Sequence, residues 1–143
     1  MRRLLATNGP WSVIFVRLLV GAVFLSEGIQ KFVYPEALGV GRFAKIGIPV
    51  PGVMAPFVGV VEIVCGLLVL VGLLTRLASI PLLIVILTAI VTTKIPELFH
   101  PNQGFWFMVS DARTDFAMTM SLLFLINVGG GSWSLDARLW KDF

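Results

Sequence analysis

The sequence predicts an all-α integral membrane protein, an antiparallel four-transmembrane-helix bundle, on three observations. Hydrophobic residues fill 57% of its 143 positions and charged residues only 13%, with a mean hydropathy of +0.95; a soluble domain carries about 25% charged residues. The apolar residues gather into four long stretches, with proline, glycine and polar clusters between them. Arg17, Glu27, Lys31 and Glu62 lie inside those stretches, where an ionisable group costs about 3 kcal/mol unless it is paired or wetted, and so turns toward protein or a cavity.

The first helix is expected over residues 11–33, about 23 residues and roughly 34 Å, enough to span with some tilt. Pro10 and Ser12 are its start signals. The opening Met1, Arg2, Arg3 resembles a signal peptide, but the apolar run is too long, carries charges and lacks a small-residue cleavage site. An uncleaved first helix is therefore expected. The second helix is expected over 54–74, with Pro56 tolerated in its first turn. A tight connection over 72–76 leads to the third, over 76–95, which Pro81 bends and Pro96 ends. The fourth, over 114–128, is short; it tilts little, begins below the interface or extends through part of 105–109.

Two connections are longer. Residues 34–52 are rich in proline and glycine, with 42–46 as a short interfacial helix. Residues 96–113 carry His100 and the aromatic run Phe105, Trp106, Phe107, a composition suited to the headgroup layer. Membrane anchoring and a functional lid both fit these loops. Four crossings place both termini on one side. Arg2, Arg3, Arg76, Arg138 and Lys141 oppose Lys31, Arg42, Lys45, Lys94 and Arg113; assigning Lys31, Lys94 and Arg113 to a polar cluster tips the positive-inside rule toward cytoplasmic termini.

Several chemistries are disfavoured. The net charge of +3 and pI near 9.5 rest on scattered residues with no basic stripe, so nucleic acid is not an expected partner. Cys65 is the sole cysteine, so an intramolecular disulfide, a CxxC pair and a cysteine zinc site are excluded, and it reads as a packed small hydrophobe. His100 is also alone, so paired axial histidines cannot hold a haem. No metal site is expected.

The buried charges converge. On a helical wheel Arg17, Gly21, Phe24, Glu27, Gly28 and Lys31 occupy an arc of roughly 120°, as do Gly59, Glu62 and Gly66 on the second helix. Small residues on these faces permit close helix approach. Glu27 lies about 9 Å below Val33, and Glu62 about 12 Å below Met54, so the carboxylates are nearly level. Arg17 is roughly 15 Å deeper than Glu27 and is expected to reach Glu62 from below. Lys94, Asp111, Arg113 and Asp115 come from the same outer end. Glu27, Lys31 and Glu62, closed by Arg17, form the candidate site, with Gly21, Gly28, Gly59, Gly66, Lys94 and Asp115 in support. An ion network that fixes helix register is the alternative reading.

At these residues the chain resembles a known family. Arg17 with Gly21, Gly28 with Lys31 and Phe32, Phe43 with Gly47, Pro49 and Pro51, Glu62 with Gly66, Leu67, Leu70, Gly72, Thr75 and Arg76, and the 129–136 segment ending in Asp136 are similar in order and spacing to the DoxX family of small four-helix bacterial membrane proteins. The resemblance covers nearly the whole chain as one domain, 1–143. It implies relatedness to the membrane subunit of a thiosulfate:quinone oxidoreductase and to sulfur or oxidative-stress redox complexes. The positions that carry over are Arg17, Gly28, Lys31, Glu62, Gly66 and Arg76; the 111–115 segment, with both charge signs, corresponds least.

No dinucleotide motif, thiol pair or metal cluster marks an autonomous enzyme. The first expectation is thus a multi-pass subunit of a redox complex in the bacterial inner membrane. It holds no cofactor of its own, takes a quinone or a small anion near Lys31 and Arg17, and works with a soluble or membrane redox partner or as a homo-oligomer. A small proton-linked transporter using Glu27 and Glu62, and a membrane scaffold for a soluble partner, are the alternatives. Glu62, near mid-membrane among glycines, is expected to serve function and Arg76 to anchor a helix end.

Overall fold

The computed structural model describes residues 7 and 9–139; Arg2, Arg3 and Lys141 lie outside the described residues. Every regular element among those described is helical: α1 (Val13–Val33), α2 (Pro35–Leu38), α3 (Val40–Lys45), α4 (Pro51–Val71), α5 (Thr75–Ala89), a π-helical turn (Ile90–Lys94), α6 (Ile95–Leu98), α7 (Gly104–Asp111), α8 (Arg113–Val128) and α9 (Leu135–Leu139). Three stretches are long and apolar enough to cross a membrane: α1, α4 and the continuous run Thr75–Leu98. The helix expected as the fourth span is present as α8, but its 16 residues fall short of the roughly 20 that a bilayer core requires. Ala112 separates α8 from α7, yet its N–H still reaches Met108 O, and its own carbonyl accepts from Phe116 N.

Two proline expectations need correction. α4 starts at Pro51 rather than Met54, with Pro51 in its first turn, so Pro56 stands beyond that turn. Pro96 does not end the third long helix; the chain stays helical to Leu98. A proline ring collides with the carbonyl four residues back and cannot donate to it. The wider π turn just before Pro96 accommodates that conflict, and the hydroxyls of Thr92 and Thr93 donate back to the carbonyls of Thr88 and Ala89.

α1 packs on α4, α4 on α5, and α5 on α8. Glycines set the α1–α4 distance: a Cβ on Gly28 would stand 2.7 Å from Gly59 O, and one on Gly21 2.9 Å from Gly66 O. The later α1 glycine meets the earlier α4 glycine, so these two helices run in opposite directions. Val20, Val69, Leu82, Leu122 and Leu125 fill the common core with no solvent exposure. The outer surface is equally apolar, with Phe15, Phe57, Ile84 and Phe116 each at least 60% exposed. Apolar patches of this extent belong against lipid.

Candidate functional site

One end of the helix assembly encloses a cavity of about 740 Å³. Its walls are largely apolar, with Phe24, Phe43, Phe57, Ile84 and Met118 among them, and its charged groups come from six elements, the π turn included. From α1, Lys31 Nζ reaches across the glycine interface to Glu62 Oε2 on α4 at 2.7 Å and lies 3.8 Å from Glu27 Oε2. The glycines explain the reach: without side chains at positions 28 and 59, the two backbones approach until one lysine bridges them. Glu62 is 4% exposed and Glu27 56%. The structure thus brings Glu27, Lys31 and Glu62 into one connected group.

A second group of the same design stands on another wall. Lys94, the last residue of the π turn, donates to Asp111 Oδ2 and lies 3.7 Å from Asp115 Oδ2. The hydrogen bond from Lys94 holds the Asp111 carboxyl below the ordinary aspartate range, with Glu97 and Arg42 contributing to the same shift. Arg42, on α3, also lines the cavity. The loop helices α2 and α3 were expected as anchors or a lid, and the structure has them forming a wall. Asp111 was readable only as a charge from the same outer end as Lys94 and Asp115; it ends α7, whereas Asp115 lies in α8. Arg42 and Glu97 carried no such signal, since their positions depend on how the loops fold back.

Arg17 is the main correction. Its guanidinium does not close the cavity group; it donates to the carbonyls of Val69 and Leu70 at the C-terminal end of α4, at 3.0 and 2.6 Å, and to Gly130 and Trp133, at 3.3 and 2.6 Å. Val69 O also accepts from Gly72 N, and these last-turn carbonyls carry the negative end of the helix dipole, so a buried cation is well placed there. Asp136 completes the arrangement from the other side. Its carboxylate accepts from Leu74 N and Thr75 N at 2.7 and 2.9 Å, capping the start of α5. Between the two lies a tight turn in which Gly72 and Leu74 both adopt left-handed backbone, φ 73° and 50°. A side chain on Gly72 would collide with the Arg17 guanidinium at 2.6 Å. The expectation that Arg17 spans the roughly 15 Å depth gap to reach Glu62 from below fails because carbonyls at its own depth take its donors; the sequence offered no signal for those carbonyls.

Apolar helices long enough to cross a bilayer, enclosing a cavity with lysine–carboxylate groups, define a small multi-helix membrane protein. The DoxX family model matches residues 12–95, and the chain belongs to the DoxX family. It is 59% identical, over 97% of its length and 88% of the relative's, to "Uncharacterized membrane protein Rv3486" of Mycobacterium tuberculosis (strain ATCC 25618 / H37Rv). It is 31% identical to an "Uncharacterized protein" of Haemophilus influenzae (strain ATCC 51907 / DSM 11121 / KW20 / Rd), covering 92% of this chain and 93% of that one. A third relative, 29% identical over 90% of this chain and 87% of its own, is "Putative oxidoreductase CatD" of Bacillus subtilis (strain 168). No solved structure matches.

Proposed function

We propose that this protein is the membrane subunit of a redox complex in a bacterial cytoplasmic membrane and that it binds a quinone in the cavity. The observation that carries this reading is the cavity itself: about 740 Å³ of mainly apolar space with two lysine-centred groups on its walls. A quinone is a flat apolar ring with two carbonyl acceptors, and pockets for such ligands combine apolar walls with a few placed donors. Lys31 and Lys94 supply donors, while the carboxylates they hold can exchange protons. The oxidoreductase name of the Bacillus relative supports the redox class. Electrons come from a soluble or membrane partner. The small-anion alternative loses support, because Arg17 is engaged elsewhere and carboxylates outnumber cations around the cavity.

In this reading α8 is a fourth crossing, completing an antiparallel bundle with cytoplasmic termini. Its outward residues Phe116, Met120, Leu123 and Phe124 are apolar and exposed, and the preceding aromatic α7 has no buried residue, as suits the membrane interface. Impermeant maleimide labelling of single cysteines at positions 11, 99 and 139, in a Cys65→Ser background, tests it. Positions 11 and 139 should label from one side and 99 from the other; labelling of 11 and 139 from opposite sides ends the four-span reading. For function, protein purified from native membranes should yield quinone in its solvent extract and bind a short-chain quinone analogue, with binding lost or coupling abolished in Glu62→Gln and retained in Arg76→Gln. Solute flux through sealed liposomes containing only this chain, without quinone binding, would instead make it a small transporter. Retention of a soluble partner with neither activity would make it a scaffold.

A further inference from the structure

The two lysine groups share a design that a single ligand-binding contact does not require. Each has one half-exposed carboxylate, Glu27 at 56% and Asp111 at 46%; one buried lysine, Lys31 at 10% and Lys94 at 13%; and one inner carboxylate, Glu62 at 4% and Asp115 at 18%. The surrounding charges do not balance them. Glu97, on α6, adds a further carboxylate beside Lys94 and Asp111, and Arg42, on α3, adds a cation to the cavity lining. The carboxylates Glu27, Glu62, Glu97, Asp111 and Asp115 therefore exceed the cations Lys31, Lys94 and Arg42 by two. Uncompensated charge in a low-dielectric wall is costly, and a carboxylate neutralises most cheaply by taking a proton.

We infer that the cavity wall is a store of two exchangeable protons, one held by Glu27–Lys31–Glu62 and one by Asp111–Lys94–Asp115 with Glu97. Water reaches each store through its half-exposed member, and the ligand meets its inner side. The use of the store rests on the quinone reading. Two electrons arrive from the partner's two-electron donor, each store passes one proton to one carbonyl oxygen, two O–H bonds form and the quinone leaves as quinol. The emptied stores refill from water through Glu27 and Asp111. Separate stores on separate walls suit a ligand whose two acceptor oxygens point in different directions.

The test needs no quinone. A hydrophobic carbodiimide converts protonated carboxyls in apolar surroundings into stable adducts, which peptide mass spectrometry locates. With the full chain in lipid nanodiscs, both groups should carry adducts at pH 7, with labelling lost as pH rises. Lys31→Gln should shift the labelling profile of its own group upward by at least tenfold in proton affinity and leave the other group unmoved, and Lys94→Gln should do the reverse. Absence of adducts from either group of the wild-type chain at pH 7 overturns the inference, as does one variant shifting both profiles equally. If neither variant folds by circular dichroism, the wild-type result decides alone. Labelling without quinone binding would retain the store and reject the quinone; quinone binding without labelling would do the opposite.

Discussion

Arg17 and Lys31 stand on one face of one helix, and only their partners separate a structural cation from a candidate functional one. Arg17 caps the end of α4 with hydrogen bonds to four carbonyls, while Lys31 bridges two carboxylates at a cavity. Replacing Arg17 with Gln leaves buried acceptors without their charged donor, at a cost of about 3 kcal/mol. Thermal unfolding in detergent, followed by helical circular dichroism, should show a clear fall in midpoint with ligand binding retained in the folded fraction. Equal loss of ligand affinity and stability would return Arg17 to the site. The Lys94–Asp111 pair makes a pH prediction. The folded-state pKa of Asp111 is depressed, so its contribution is present above the ordinary aspartate value, about 3.9, and is lost as pH falls through the lower folded value. Removing Lys94 by substitution with Gln should abolish that acid-side component, read as the difference between wild-type and variant midpoints over pH 6 to 3. Wheel position made the facing of Arg17, Gly21, Phe24 and Gly28 legible, and all four are buried. What each charge meets was not legible, because that depends on loops and a C-terminal segment that have no helical period.

At the scale of elements, the α1–α4 pair is the part that the sequence described best, since Gly21, Gly28, Gly59 and Gly66 recur at helical spacing and the structure uses all four for close approach. At Gly28 the nearest atom to an added Cβ is backbone, Gly59 O at 2.7 Å, rather than a movable side chain. Gly28→Ala should therefore destabilise the protein by about 2 kcal/mol through overpacking and weaken the Lys31–Glu62 bridge. Gly52 provides the control, because a Cβ there meets nothing within 4 Å. Gly52→Ala should leave the unfolding midpoint unchanged or slightly raised. Comparable losses in both variants would show that the close approach is not what the glycines secure. The π turn was illegible for a physical reason: Pro96 announces a conflict in the helix, but propensity alone does not say whether the chain stops or widens to absorb it.

For the whole molecule, composition and periodicity disclosed the membrane setting and the long apolar helices. They did not disclose that the polar groups divide into a cavity at one end and a capped turn at the other. That division lets ligand and scaffold be probed separately. A short-chain quinone analogue at one hundred times its dissociation constant should stabilise the wild-type chain by about 2.7 kcal/mol, and Arg17→Gln should gain the same increment from its lower starting point. A variant lacking Lys31 should gain less. Absence of any shift in the wild-type chain would remove the analogue from the cavity.

The capped turn also bears on the order in which the protein is made. α4 and α5 emerge from the ribosome well before Asp136, yet the strained turn between them, with Leu74 in left-handed backbone, has its N–H groups satisfied by that late residue. Until then the N–H groups of Leu74 and Thr75 lack the acceptor that the folded chain gives them. The turn between α4 and α5 thus reaches its final hydrogen bonding only once Asp136 has been delivered to Leu74 N and Thr75 N.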